Sequence, residues 1–271
     1  MELINKNCLD VLPTFKADFF DLIVVNIPFG ILNKENKNAE KFNKAFTQEE
    51  LKKFCRNLKR IIKPTGSIIF FGRGIFTFNV ISILEKEYQY SLIWKKGNRI
   101  TGHLNASKQP LSNHEDIIIF QKDKEKDGKK KNIVSTYNPV MSEGNTRHAS
   151  ILSLSKAKSD DNCYGKQQNT QKEDTNLRFP TSILDFQPEQ EQLIPGQKPL
   201  ALIEHIVKIY SNKNDMVLDP MMKLDGTVGI ACKNLSRDFI GIEENEEFFS
   251  GAKKRIENYV VTKNLLETFG F

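Results

Sequence analysis

Along this chain, short apolar runs bounded by turn residues alternate with longer amphipathic stretches. Leu22 to Val25, inside DLIVVNIPFG, reads as the first buried strand. The stretch TQEELKKFCRNLKRII at 47–62 predicts a helix: Thr47 is placed to cap it, Glu50 completes a capping box, and Pro64 stops it. SIIFFG at 67–72 is a second strand, 76–88 a second helix, and 90–96 and 115–122 are further strands. Regular patterning resumes near 197, where QKPLALIEHIVKIYS has helical apolar spacing. It continues as strand 216–219, helix 227–235, strand 239–243 and the helical stretch NEEFFSGAKKRIENYV. Strands alternating with helices predict an α/β fold around a largely parallel sheet. Between the two patterned parts, 1–122 and 193–271, the span 123–192 follows a different habit. The charge run KDKEKDGKKK at 122–131 leads into it, and it is rich in Ser, Asn, Gln, Lys and Asp over 142–179. It reads as an insertion or loosely ordered lobe in one domain, and the chain has no internal repeat.

A length of 271 residues with 39% hydrophobic content suffices for one large core. Lys and Arg number 40 against 34 Asp and Glu, a formal net charge of +6 that suits a polyanionic partner without requiring one. Cys8, Cys55, Cys163 and Cys232 stand far apart with no CxxC pair. They indicate neither a zinc knuckle nor a disulfide framework and read as reduced intracellular thiols. His148 and His205 show no metal-binding spacing. The abundant Phe, as in FFDLI, IIFFG and EEFF, fits core positions. No apolar stretch reaches the roughly 20 residues of a membrane span, and MELINKNCLD lacks the apolar core of a secretion signal. The expectation is a soluble cytoplasmic protein with no membrane partner.

Two stretches carry candidate chemistry. From its residues alone, NIPFG at 26–30 is either the lip of an active site or a strand that stops at an Asn-x-Pro turn. DPMMKLDGTVG at 219–229 is likewise a strand-to-helix turn that either holds a ligand or binds nothing. Taken in order with KRIIKPTGSIIFFG, GHLNASKQPLSNHEDIIIFQK, TYNPVM, RFPTSILDF, QKP, MVLDP and ACKNLSRDFIGIEENEEFF, they cover nearly the whole chain. This series resembles the DNA amino-methyltransferases (adenine-N6 or cytosine-N4) of restriction-modification and phage type, in which the catalytic motif precedes the cofactor motif.

The resemblance implies a Rossmann-like methyltransferase fold with a largely parallel seven-stranded sheet, and makes 123–192 an inserted target-recognition region. It implies transfer of a methyl group from S-adenosylmethionine to the exocyclic amine of a base flipped out of double-stranded DNA. Asn26 and the backbone carbonyl of Ile27 would accept hydrogen bonds from that amine, Pro28 would stiffen the loop, and Phe29 would stack on the base. Cofactor contacts would come from Asn7, Asp219, Pro220, Gly226, Thr227, Gln197, Lys198 and Glu243, the last on the ribose hydroxyls. Arg99, His103, Asn105 and Lys108 would lie near DNA, and Lys129, Lys130 and Lys131 against phosphates.

Departures from the family pattern fall on these same places. Ile27 stands where the family has Pro, which removes a φ restraint. The family's DPFxGSGTT is here lengthened by a residue, with Leu224 in place of a glycine and with charge at Lys223 and Asp225. HPTQKP becomes IPGQKP at 194–199, and the Gly-Asp before CL becomes Lys6 and Asn7. A preserved scaffold with altered contact residues points to an adenine-N6-type pseudo-methyltransferase that binds double-stranded DNA with weak or no transferase activity. It would bind S-adenosylmethionine only if active, and act as a homodimer or as the noncatalytic partner of an active methyltransferase subunit. The alternatives are a working adenine-N6 enzyme that has compensated, and a protein-interaction scaffold without DNA affinity.

Overall fold

The computed structural model describes residues 1–27, 46–122, 125–126, 129–130, 133–144 and 177–261. The chain divides into two compact units, one made of Met1–Asn138 with Ser182–Phe271 and the other of Pro139–Thr181. In the second, the described residues form a short antiparallel pair, Ser142–Glu143 against Leu177–Arg178.

The first unit is built on one sheet of eight strands: β1 (Glu2–Ile4), β2 (Phe20–Val25), β3 (Ile62–Gly72), β4 (Tyr88–Lys95), β5 (His114–Gln121), β6 (Ile183–Asp185), β7 (Met216–Asp219) and β8 (Asp238–Ile242). They lie in the order β1, β8, β7, β2, β3, β5, β4, β6. Every neighbouring pair is parallel except the two made by β5, which runs against both β3 and β4. The expected seven strands thus become eight. β6 lies within the span 123–192 and joins β4 at Ile183↔Ile93. At three residues each, β1 and β6 are too short to show a periodicity, and only their pairing makes them strands.

β2 explains why the sheet is covered on both faces. Leu22 to Val25 are all buried, the continuous apolar run expected of a central parallel strand. Ile23 and Val25 point into a core shared with Phe54, Leu58, Ile68 and Phe70, while Leu22 and Val24 face the opposite layer. Among the described residues, six α-helices flank the sheet: α1 (Cys8–Val11), α2 (Gln48–Ile61), α3 (Ile75–Ile83), α4 (Leu200–Tyr210), α5 (Thr227–Leu235) and α6 (Glu246–Asn258).

The start of α2 is the capping box read from the sequence: Thr47 Oγ1 accepts from Glu50 N–H, and the Glu50 carboxylate accepts from Thr47 N–H at 2.8 Å. Its buried residues Leu51, Phe54, Cys55, Leu58 and Ile61 form one helical stripe. Glu49 and Glu50 in the first turn and Lys59 and Arg60 in the last complement the helix dipole. The helix passes directly into β3, which begins at Ile62, ahead of its apolar run. Lys63 explains the extension, because its Nζ reaches both oxygens of Asp21 at 2.8 Å. Asp21 Oδ2 also accepts from Met216 N–H at 2.9 Å, so one carboxylate ties the starts of β2, β3 and β7. The stretch read as a helix over 76–88 ends at Ile83 and finishes as a 3₁₀ turn at Glu85–Glu87. No helix among the described residues is long and apolar enough to cross a membrane.

The connections fix where a ligand could sit. From β2 the chain moves on to β3 on one side, whereas from β7 it moves on to β8 on the other. A crevice therefore opens beyond the carboxyl ends of β2 and β7, the topological switch point at which open α/β sheets bind ligands.

Candidate active-site crevice

Asn26 leaves the end of β2 at the lip of this crevice, and its Nδ2 donates to the Gly196 carbonyl at 3.4 Å. Ile27 is buried beneath it. Pro28 and Phe29 lie outside the described residues. From the other side, Lys198 Nζ donates to the same Gly196 carbonyl at 3.0 Å. The IPGQKP segment thus closes the crevice through backbone and amine. Gln197 is buried and fixes the turn, its Oε1 accepting from Leu193 N–H at 2.8 Å. Pro199 caps α4 in extended conformation.

On the β7 side, Asp219 is buried, and its Oδ1 accepts from Met221 N–H at 3.1 Å. Pro220 follows and is also buried. The loop then turns through two left-handed residues, Lys223 at φ +56° and Gly226 at φ +53°. Gly226 precedes α5 where a Cβ would come 3.0 Å from Ile256 Cδ1, so close helix packing and a positive φ both favour glycine there. At Lys223 the backbone keeps a glycine-like conformation with a long side chain attached. The sequence points to Leu224 as the residue occupying a glycine position that requires close approach or positive φ. The structure moves that strain to Lys223 and packs Leu224 against Gly251 of α6. Asp225 Oδ1 accepts from Thr227 N–H at 2.9 Å, taking up a donor at the start of α5.

Glu243, just past β8, has both carboxylate oxygens engaged by this loop and the next. Oε2 accepts from Lys223 N–H at 2.8 Å and Oε1 from Asn245 N–H at 2.9 Å. Asn7 caps α1 by accepting from Leu9 N–H at 2.8 Å and donates to Glu244 Oε2 at 2.6 Å. Asn7 and Glu243 are therefore brought to one edge of the crevice, each holding backbone of its own surroundings.

The electrostatics follow from burial. Removal from water pushes the Asp219 carboxyl up to about 8, helped by nearby Asp225 and Glu243 and opposed by the Met221 N–H and Lys223. Burial, with repulsion from Lys198, draws the Lys223 amine down to about 8. Burial also raises Glu243, against the hydrogen bonds from Asn245 and Lys223 that favour its charged form. What remains open between Val24, Asn26, Phe71, Lys198, Asp219 and Lys223 is a cavity of about 10 Å³, room for about one water.

Behind the crevice stands a buried charge cluster that sequence reasoning did not assemble. Glu115, at the start of β5, receives Lys96 Nζ at 2.6 Å on one oxygen and Lys198 Nζ at 2.8 Å on the other. Lys198 Nζ also lies 5.2 Å from the centre of the Phe71 ring, and Lys96 Nζ 5.2 Å from that of Trp94. Burial alone would raise Glu115, but the two ammonium groups outweigh it and hold its carboxyl below the usual range. The available signal was an acid at the head of the apolar run EDIIIF, though nothing local names its partners.

Arg99, His103, Asn105 and Lys108 lie together in the exposed loop joining β4 to β5. Its neck is closed by Thr101 and Ser112, which exchange backbone hydrogen bonds at 2.8 and 2.9 Å. Lys129 and Lys130 form a two-residue strand paired with Glu125–Lys126, and Lys131 lies outside the described residues. Among the described residues no His, Cys, Asp or Glu cluster could hold a metal ion.

A doubly wound sheet with a polar crevice at its switch point is the α/β class in which ligands, where bound, sit beyond the carboxyl ends of the strands. Comparison with known proteins narrows this. The sequence model of the DNA methylase family matches residues 20–254, and the chain belongs to that family. Over 94% of the chain and 74% of the relative, it is 26% identical to the type II methyltransferase M.HpaI of Haemophilus parainfluenzae. Over 95% of the chain and 90% of the relative, it is 23% identical to M2.DpnII of Streptococcus pneumoniae. Among solved structures, the cytosine-N4-specific PvuII DNA methyltransferase superposes with a TM-score of 0.62 at 14% identity, covering 98% of this chain and 89% of that one. The M1.HpyAVI–SAM complex gives 0.57 at 23% identity, covering 94% and 98%. At these identities the superpositions speak for the fold.

Proposed function

We propose that this chain is a DNA-binding member of the DNA methylase family whose methyl-transfer activity is weak or absent. Its role is to occupy double-stranded DNA, as a homodimer or as the noncatalytic partner of an active methyltransferase subunit. One observation carries the reading: the loop that should cradle the cofactor's methionine end instead carries Lys223 into the crevice, leaving about 10 Å³. S-adenosylmethionine could enter that space only if Lys223 moved aside. The DNA half of the proposal draws on the family's substrate, the net charge of +6 and the exposed basic loop 96–113.

A second reading, a working adenine-N6 methyltransferase, is favoured by the convergence of Asn26, Asp219 and Thr227 on the crevice at the switch point. Calorimetric titration with S-adenosylmethionine, and with S-adenosylhomocysteine in parallel, separates the two. The proposal expects no heat at millimolar ligand, and micromolar binding overturns it in favour of the active enzyme. Repair of 223–226 to a glycine-rich loop, with Ile27→Pro, should then restore binding to an empty scaffold. Duplex affinity measured against salt tests the other half. Phosphate contacts make it fall steeply, and no binding at low salt leaves only an interaction scaffold.

A further inference from the structure

The segment from Lys95 to His114 contains four Lys or Arg, two His and no acidic residue. Residues 98–100 and 102–110 of it are exposed, yet the loop is built rather than loose. Gly102 turns at φ +96°, and Asn105, Ala106 and Lys108 N–H groups bond back to the carbonyls of Gly102, His103 and Asn105. At its base, Lys96 N–H bonds to Asn113 O at 2.8 Å while the Lys96 ammonium is held by buried Glu115. At the centre of the 3₁₀ turn His103–Asn105 stands Leu104, whose side chain is 100% exposed. A large apolar side chain presented in full to water on a hydrogen-bonded turn, in a loop that also exposes Arg99 and Lys108, has no role in this core.

We infer that Leu104 is an apolar wedge that enters a base step of duplex DNA while Arg99, His103 and Lys108 hold the flanking phosphates. This rests on the DNA-binding reading above and adds to it the contact that deforms the duplex. Apolar side chains inserted from a basic surface partly unstack a base step and open the helix. The loop leaves the carboxyl edge of β4, which runs parallel to β2. That places the wedge on the edge of the sheet that carries Asn26. The Lys96–Glu115–Lys198 cluster and the Gly196 carbonyl form a chain of polar contacts from the base of the loop to Asn26.

The test uses the full chain and two labelled duplexes of one sequence, matched and with a single central mismatch, titrated at several salt concentrations. Unstacking costs less at a mismatch, so the native protein should prefer the mismatched duplex. Leu104→Ala should abolish that preference and bind roughly tenfold more weakly, because alanine has no apolar surface long enough to bury between the bases, and its salt slope should stay unchanged. Arg99→Ala should instead lower the salt slope by about 1. Leu104→Trp should show emission quenched on binding. If Leu104→Ala binds both duplexes as the native protein does, or lowers self-association instead of DNA affinity, the wedge is refuted while DNA binding stands. If the native protein shows no salt-dependent binding, the DNA reading itself falls. Full exposure of residue 104 leaves folding unaffected, which an unchanged melting temperature verifies.

Discussion

Replacing Lys223 by glycine should stabilise the protein, and by an amount that depends on pH. The fall of its amine from 10.5 to about 8 means that the folded state resists protonating it. At full burial that difference corresponds to about 3 kcal/mol, and partial exposure brings it to about 2 kcal/mol. The sign follows from proton binding. Between about 8 and 10.5 the unfolded chain holds this proton more tightly than the folded one, so native stability rises with pH across that window. The penalty is fully present below about 8 and gone above 10.5. Glycine removes it and also releases the left-handed strain at φ +56°, worth about 1 kcal/mol at any pH. The N–H donated to Glu243 is backbone and survives the change. Urea unfolding of both proteins across this range, analysed as the difference between them, cancels the other titrating groups. The variant's advantage should be about 3 kcal/mol below pH 8 and shrink to about 1 kcal/mol above pH 10.5. A difference that does not vary with pH would refute the claim that Lys223 is held desolvated in the crevice.

Other outcomes follow from single contacts. Asp219→Asn should abolish a component of stability that falls as pH rises from 3.8 to about 8, because the folded carboxyl keeps its proton where the unfolded one has lost it; pH-dependent denaturation of the two proteins reads this out. Glu115→Ala strands two buried ammonium groups and should cost about 3 kcal/mol or more in urea unfolding, so a loss near zero would mean the cluster is solvated. Thr47→Ala should cost about 1 kcal/mol by removing the cap of α2, measured the same way. Burial pushes the thiols of Cys8 and Cys55 up to about 12 and that of Cys232 up as well. Alkylation at neutral pH followed by peptide mapping should find all three unmodified in the native protein and modified after denaturation.

Much of the architecture was legible because it is local. The capping box at Thr47 and Glu50, the stripe of α2 and the apolar run of β2 each lie within one stretch of chain and appear as read. The order of motifs likewise brought Asn26, Asp219 and Glu243 to one end of a parallel sheet. Pairing-dependent elements were not legible: β1 and β6 are strands only because Ile242 and Ile93 lie beside them. In the altered loop the left-handed residue is Lys223, one position before Leu224. Which residue turns left-handed depends on how the extra residue is absorbed between Met222, hydrogen-bonded to Ile242, and the start of α5.

By itself, then, the sequence determined the class of fold and the ancestry, since periodicity, capping and motif order are short-range properties of the chain. Tertiary structure alone decided what distant stretches do to one another. Lys96, Glu115 and Lys198 become a buried cluster only when β4, β5 and the entry to α4 meet. Lys223 becomes an occupant of the crevice only when the loop closes on Glu243. Burial is what turns an ordinary lysine and an ordinary aspartate into groups that titrate near 8, and burial is a property of the packed molecule that no single segment carries.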